Sequence, residues 1–275
     1  MIVWTFSPDV MEFAEHAEAF LETDPAANTV PLTVLAGLRA GMPGDGSSFG
    51  WWSEDGEVKG AVFRTPPRPF YLARMPLAAV PPLVEELRVR GVETPEISGP
   101  VDVVDAFVAA SGATPARRRP ERLYRLGALD VPDVPGKGRC ADMGDFPLVM
   151  NWFDAFAAEV SQSAGGDLAE VVRRRIAHGD IMLWADGDAP VSLAGISPEA
   201  AGMCRIGPVY TPPSSRRRGY GAAVTAYASQ VALTERCTMA VLFTDLNNPT
   251  SNAVYQSIGY EPVSDYARVV LEPVP

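Results

Sequence analysis

The chain has 275 residues, enough for one large domain or two smaller ones, and 47% of them are apolar, so a folded protein with buried cores is expected. A formal net charge of −11 disfavours general binding to nucleic acid or anionic lipid. The first residues lack a basic leader, and no apolar run approaches about 18 residues, so a cytoplasmic protein without membrane contact is expected.

The first part of the chain predicts an amphipathic helix that begins near Ser7, which can cap it, with Pro8 in its first turn. A second helix, a β-hairpin around the Asp55-Gly56 turn and a third strand follow. A helix that starts near Pro81, a strand, another helix and two closing strands complete this part of the chain.

The same order of elements returns after a stretch rich in proline and glycine at residues 131–138. Each half reads helix, helix, three strands, helix, strand, helix and two strands. The repeat predicts a duplicated α/β (α+β) fold. Its first domain spans residues 1–130, residues 131–138 form a linker, and the second domain spans residues 139–275.

The stretch SSRRRGYGAAV, residues 214–224, places three arginines before a Gly-x-Gly in this acidic chain. The strands predicted on either side are expected to pair in parallel, which makes a β-α-β unit. The loop then lies at the helix amino terminus, where free N–H groups and the helix dipole bind anions. Gly219 and Gly221 would keep side chains off that backbone, although an ordinary strand-to-helix connection is the alternative interpretation.

The other two arginine triplets, residues 117–119 and 173–175, are followed by no such glycines and are interpreted as solvated faces. Three cysteines without Cys-x-x-Cys or Cys/His spacing predict reduced, mostly buried thiols rather than disulfides or a zinc site.

Two features around this loop favour a ligand site. Pro208 interrupts the preceding strand and predicts a bulge, which would free backbone groups at Val209 and Tyr210. The strand after the helix ends in DLNNPTSNAVYQSIGY, which is expected to bring two amides and a tyrosine to the far side of the same crevice.

The strand, RRRGYG, the helix, the next strand and NNPTSNAVYQSIGY together resemble the acyl-CoA-binding core of the GCN5-related N-acetyltransferase superfamily, over residues 138–275. The resemblance implies two tandem domains of this fold, each a mixed, mainly antiparallel sheet flanked by helices. The second domain would hold acetyl-CoA as cosubstrate in its parallel β-α-β site. A primary amine of a small molecule or peptide would accept the acetyl group, and a monomer or homodimer is expected.

The resemblance also implies roles for individual residues. Tyr255 would protonate the departing thiolate. The residues that would contact acetyl-CoA are Ile206, Gly207, Val209, Tyr210, Arg216, Arg217, Arg218, Gly219, Tyr220, Gly221, Ala222, Asn247 and Asn248.

The first half departs from this pattern. In place of SSRRRGYGAAV it has RMPLAAVPPLV, with no glycine and three prolines, and Phe107 stands near the position that corresponds to Tyr255. This half is therefore expected to bind no pyrophosphate and to shape the substrate cleft.

The sequence identifies no general base. Glu199, Asp154 and Glu159 are candidates, and each is explained equally well by exposure or by packing on its own element. Two alternatives to an enzyme stay open, namely an acyl-CoA-binding sensor or scaffold without turnover, and a nucleotide-phosphate binder.

Overall fold

The computed structural model of the chain describes residues 2–42, 44–160 and 167–272. Met1 and residues 273–275, which are the ends of the two predicted domains, lie outside the described residues. The contacts of the chain divide it into two compact units. Unit 1 comprises Met1–Leu123, Asp245–Asn247 and Val263–Pro275, and unit 2 comprises Tyr124–Thr244 and Asn248–Pro262.

In the described part of the first half, α-helices and β-strands follow in the order strand, helix, helix, three strands, helix, strand, helix, strand. They are β1 (Ile2–Ser7), α1 (Val10–Leu21), α2 (Thr29–Arg39), β2 (Ser48–Glu54), β3 (Glu57–Arg64), β4 (Phe70–Leu72), α3 (Val80–Val89), β5 (Glu96–Pro100), α4 (Val101–Ser111) and β6 (Pro115–Leu126).

The second half repeats this order, which confirms the predicted duplication of an α/β fold. Its elements are β7 (Lys137–Cys140), α5 (Phe146–Glu159), α6 (Leu168–Ala177), β8 (Ile181–Asp186), β9 (Ala189–Ile196), β10 (Met203–Tyr210), α7 (Tyr220–Glu235), β11 (Met239–Asp245), α8 (Pro249–Ser257) and β12 (Tyr260–Leu271).

The predicted ends of each half are wrong. Each half begins with a strand and closes with one long strand instead of two. The predicted helix start at Ser7 is also wrong, because Ser7 ends β1, which pairs antiparallel with β2. Asp9 caps α1 instead, and its carboxylate accepts a hydrogen bond of 2.7 Å from the N–H of Met11.

The last strand of the chain completes the sheet of unit 1. Residues Tyr266–Val270 of β12 pair antiparallel with Glu96–Pro100 of β5, which in turn pairs parallel with β4. Ala267, Val269 and Leu271 alternate along β12 and enter the core of unit 1, so this segment joins unit 1 although residues 139–275 were predicted as one domain. The bounds 1–130 and 139–275, taken as the limits of two repeats of one fold, stay a prediction.

The sheet of unit 2 contains β7, β8, β9 and β10 as antiparallel neighbours. β10 and β11 pair in parallel on either side of α7, which confirms the predicted β-α-β unit. Buried residues of α7, among them Val224 and Ala228, pack into a core that also contains Ile206 and Leu242 from these two strands. The strand, loop and helix of the predicted site therefore share one core.

Two expectations from composition can be compared with the structure. No helix within the described ranges is long and apolar enough to cross a bilayer. All three cysteines are free thiols, with Cys204 and Cys237 buried and Cys140 exposed.

We expect Val269→Ala to destabilise the protein by about 2 kcal/mol, because it removes buried methyl groups and leaves a cavity in unit 1. Amide hydrogen exchange should rise in Glu96–Pro100, the partner of β12. The matched control is Val263→Ala on the same strand, since Val263 is 45% exposed. Equal melting temperatures and equal exchange in the two variants would contradict this account of β12.

Candidate functional site

The candidate site lies where β10 and β11 separate. Their parallel pairing runs from Met203 with Met239 to Arg205 with Val241, although both strands continue for several residues. Both strands are fully described, and beyond this point neither pairs with the other. A diverging pair of parallel strands leaves the facing edge of β10, from Ile206 onward, open to an extended ligand.

A bulge in β10 begins at the same place. Ile206 pairs with Ile196 of β9, whereas Val209 pairs with Ala194, so the register shifts between them. Pro208 lies within the shift, which confirms the predicted bulge. Proline has no N–H to donate to the ladder, so β10 loses regular pairing with β9 where it also leaves β11.

The loop before α7 presents backbone donors at the end of a 16-residue helix. Gly219 is the N-cap, with a left-handed φ of +83°, and no side chain caps the helix. The first ladder bond runs from the N–H of Ala223 to the carbonyl oxygen of Gly219, at 3.0 Å. No described residue accepts a hydrogen bond from the N–H groups of Tyr220, Gly221 or Ala222.

The arrangement fits an anion such as a pyrophosphate. A Cβ at Gly221 would meet only the Thr211 hydroxyl, at an ordinary contact distance of 3.4 Å. The space next to Gly221 is therefore open, whereas the Val134 side chain lies against Gly219. The helix dipole favours negative charge at this end of α7.

Arg216, the first arginine of the triplet, lies against the end of β10. Its Nε donates to the carbonyl oxygen of Thr211 at 2.8 Å, and its Nη2 lies 2.5 Å from Oε1 of Glu159. Its guanidinium carbon is 5.8 Å from the ring centroid of Tyr210. The pair with Glu159 is exposed, so it contributes little to stability and can yield to a phosphate.

Arg218 and Arg217 have different surroundings. Nη2 of Arg218 lies 3.1 Å from Oδ2 of Asp186, and its guanidinium lies over the ring of Tyr220 at 4.8 Å. The Tyr220 hydroxyl donates to the same carboxylate, and this hydrogen bond raises the pKa of Tyr220 above its usual range. Arg217 is exposed with φ +60°, and no described residue pairs with it. Arg217 is therefore the arginine of the triplet whose charge is not offset by a carboxylate of the described residues.

Tyr255 lies half-buried on α8, against the apolar cluster that contains Ile206 and Ala222. Its ring packs edge-on against Tyr260, with centroids 6.3 Å apart. Burial raises the pKa of Tyr255 to about 12, and no described residue forms a hydrogen bond with its hydroxyl. The group therefore stays protonated near neutral pH and keeps a proton to donate.

The two predicted amides differ in position. Asn248 caps α8, where its Oδ1 accepts a hydrogen bond of 3.0 Å from the N–H of Ser251. Asn247 belongs to unit 1, whereas the other predicted contact residues belong to unit 2.

The three candidate general bases are either engaged by other groups or exposed on a helix. Oε1 of Glu199 accepts a hydrogen bond of 2.6 Å from the N–H of Gly202, in the turn before β10. Glu159 pairs with Arg216, and Asp154 is exposed on α5. The structure therefore assigns the role of general base to none of these three carboxylates.

Sequence reasoning missed the residues that hold the loop in place. Asp186, which ends β8, accepts hydrogen bonds from Arg218 of the loop and Tyr220 at the start of α7. The buried Ser192 of β9 donates to the carbonyl oxygen of Tyr210 at 3.0 Å and lies 2.8 Å from the Thr211 hydroxyl. These contacts join positions distant in the chain, so no local pattern signals them.

Comparison with known proteins agrees with this geometry. Residues 146–260 match the model of a family described as Acetyltransferase (GNAT) family. The matched segment contains the bulge, the loop before α7 and Tyr255. No curated protein matches the chain.

Solved structures match the chain over nearly its whole length. A GCN5-related N-acetyltransferase from Sphaerobacter thermophilus matches with a TM-score of 0.65 and 15% identity, over 99% of this chain and 97% of that one. A GNAT-family acetyltransferase from Colwellia psychrerythraea gives 0.64 and 10%, over 98% and 100%. A tandem GNAT protein from the clavulanic acid biosynthesis pathway gives 0.59 and 14%, over 99% and 100%. At these identities the matches show the fold, which confirms the tandem architecture.

A titration tests the environment of Tyr255. Because burial disfavours the phenolate, we expect the tyrosinate absorbance lost in Tyr255→Phe to appear only as the pH approaches about 12. The raised pKa stabilises the fold fully below the unfolded value of about 10, and this contribution is lost as the pH rises through the folded pKa. Ultraviolet difference titration measures the signal, with circular dichroism to confirm folding at each pH. A difference already complete near pH 10 would show an exposed phenol.

Proposed function

We propose, since residues 146–260 match the model of the acetyltransferase (GNAT) family, that unit 2 transfers an acetyl group from acetyl-CoA to a primary amine of a small molecule or peptide. The observation that carries the proposal is the open amino terminus of α7. Its three unaccepted N–H groups lie at the end of two diverging strands, inside the segment that matches the family.

The residues around this helix end fit acetyl-CoA. The N–H groups of residues 220–222 would bind the pyrophosphate, with Gly221 keeping that approach free of a side chain and Gly219 giving room to Val134 on the loop. Arg216, Arg217 and Arg218 would supply positive charge around it. The edge of β10 from Ile206 through Gly207 and Val209 to Tyr210 would pair with the extended pantetheine arm, and Asn247 or Asn248 would contact CoA.

Acetyl-CoA, when bound, supplies a thioester whose C–S bond breaks as a C–N bond forms to the amine. The chain has to polarise the thioester carbonyl and return a proton to sulfur. A backbone N–H near Val209 would serve the carbonyl, and the Tyr255 hydroxyl would donate the proton. The proton lost by the amine passes to water or to a base that these residues do not identify.

The charge of the protein favours a cationic acceptor. A net charge of −11 attracts amines in solution, although this steering acts on the encounter rather than on the choice of substrate. The acceptor class proposed is therefore a primary amine, without further restriction.

Binding of acyl-CoA without turnover is a second candidate function. It is favoured by the engagement of Glu199 with the N–H of Gly202 and of Glu159 with Arg216, since neither carboxylate is then placed to accept a proton from an amine. Such a protein would act as a sensor or scaffold.

Gly219→Ala should weaken acetyl-CoA binding about tenfold or more, a loss of about 1.4 kcal/mol. Its added Cβ would lie 2.8 Å from Cγ2 of Val134 and would strain a left-handed residue, which shifts the end of α7. Gly187→Ala is the matched control, because Gly187 is also left-handed but has open space around it. Thermal shift and titration calorimetry measure the affinity.

The same thermal-shift assay with different ligands distinguishes a protein that binds acyl-CoA from one that binds a nucleotide. Acetyl-CoA should raise the melting temperature of the wild-type protein, and ATP and NAD should not. Stabilisation by ATP or NAD alone would replace acyl-CoA by a nucleotide, and no shift with any acyl-CoA would refute the proposed function.

Tyr255→Phe should lower kcat about 100-fold without changing acetyl-CoA affinity, because the ring still packs while the donated proton is lost. Release of free CoA thiol across a panel of amines measures turnover. Tyr227→Phe is the control, since that half-buried ring packs on Gly138 of β7. An unchanged kcat would remove Tyr255 from the mechanism. Acetyl-CoA binding without thiol release for any amine would favour the sensor or scaffold.

A further inference from the structure

The guanidinium of Arg175 lies at the bulge of β10. Arg175 belongs to the last turn of α6, and its Nη2 donates to the carbonyl oxygens of Ile196 in β9, at 3.2 Å, and of Gly207 in β10, at 3.1 Å. The register between these strands shifts directly after Ile206. One charged donor therefore serves two carbonyl groups where the regular ladder is interrupted.

Gly195 provides the space for this contact. A Cβ on Gly195 would lie 2.2 Å from Nη2 of Arg175 and 2.5 Å from the carbonyl oxygen of Gly207. No side chain fits there without displacing the guanidinium or the bulge. Gly207 itself has φ +152°, a conformation that side chains rarely adopt. Two glycines and an arginine thus form one interlocking arrangement.

Arg175 forms no ordinary ion pair with a described carboxylate. The interpretation of residues 173–175 as a solvated face is wrong for Arg175. Burial lowers the pKa of its guanidinium to about 10, and the nearby Asp180 opposes this shift. Asp180 pairs with Arg236 at 2.6 Å, and no described carboxylate lies within ion-pair distance of Arg175. Its hydrogen-bond partners are the two carbonyl groups, and its charge lies 5.6 Å from the ring of Phe153. The guanidinium is therefore held by backbone carbonyl groups at the bulge and not by a carboxylate.

We propose that Arg175 is a positioning residue that fixes the bulge of β10 and so sets where the thioester lies. The Gly207 carbonyl, drawn over Gly195, turns that peptide group away from the crevice side of β10. The backbone of the next residues is then held open toward the place where β11 departs. This inference rests on the proposed function, because the thioester is the group that the open edge would orient.

The proposed role of Arg175 concerns the rate of turnover and not the affinity for CoA. Arg175 has no contact with the N–H groups at the start of α7, which would hold the pyrophosphate. Loss of the guanidinium should therefore leave most of the affinity for CoA intact. It should misplace the thioester relative to its donors, and small misplacements of reacting groups cost large factors in rate.

The experiment compares Arg175→Met, Arg175→Lys and the matched control Arg174→Met. Arg174 is a half-buried neighbour on the same helix with no side-chain partner among the described residues, so its replacement removes the same charge. The measurements are kcat with the best amine of the panel, Kd for CoA, and amide hydrogen exchange in Met203–Tyr210.

Arg175→Met should lower kcat about 10- to 100-fold with a change in CoA Kd of about twofold or less, and should raise exchange in Met203–Tyr210. Arg175→Lys should recover part of kcat, because an ammonium can still donate to both carbonyls. Arg174→Met should behave as wild type. A kcat equal to that of Arg174→Met, or a CoA affinity lost in step with kcat, would overturn the inference.

Substitute variants and the exchange measurement cover the cases in which Arg175→Met does not fold or the wild-type protein shows no turnover. If Arg175→Met does not fold, Arg175→Lys and Gly195→Ala replace it, since an alanine at 195 breaks the contact between the guanidinium and the Gly207 carbonyl while retaining the charge. If the wild-type protein turns over no amine, the proposed function fails, and exchange in Met203–Tyr210 still decides whether Arg175 fixes the bulge. Higher exchange in Arg175→Met than in Arg174→Met supports that part, and equal exchange refutes it.

Discussion

The site depends on the limited pairing between β10 and β11, which extends over three residue pairs and then stops. Backbone groups that would otherwise complete a ladder have to find other partners or face a ligand. The bulge at Pro208 makes this separation a fixed property of the strand, because proline cannot donate to either neighbour. The loop that follows then places the start of α7 at the opening. The candidate site thus arises from an interruption of the sheet.

Charge is distributed unevenly around this opening. Two arginines of the triplet are held by carboxylates from other elements, Arg216 by Glu159 and Arg218 by Asp186, while Arg217 has no such partner among the described residues. Under the proposed function, a phosphate at this loop would have to compete with the carboxylates of Glu159 and Asp186. Such competition would favour ligands that also occupy the helix end and the strand edge.

Features that rest on local chemistry were predictable from the sequence. The predicted strands on either side of RRRGYG indicated a parallel β-α-β unit, and Pro208 indicated the bulge. Features that rest on distant partners were not predictable. The short strand that ends at Ser7 carries the same Ser-Pro signal as a helix start, and Arg175 looks like part of a solvated run until Gly195 and Gly207 are brought beside it. The residues that hold the site together are in this second group.

The placement of β12 determines when the first half of the chain can finish folding. Unit 1 needs Tyr266–Val270 of β12 beside β5, yet all of unit 2 lies between these two strands in the chain, within residues 124–262. During synthesis on the ribosome, the amino-terminal residues have to wait with an open strand edge and an incomplete core until this last strand emerges. The second half can assemble in the meantime. Unit 1 is therefore completed only after all the residues of unit 2 have been synthesised, and until then the edge of β5 lacks its partner.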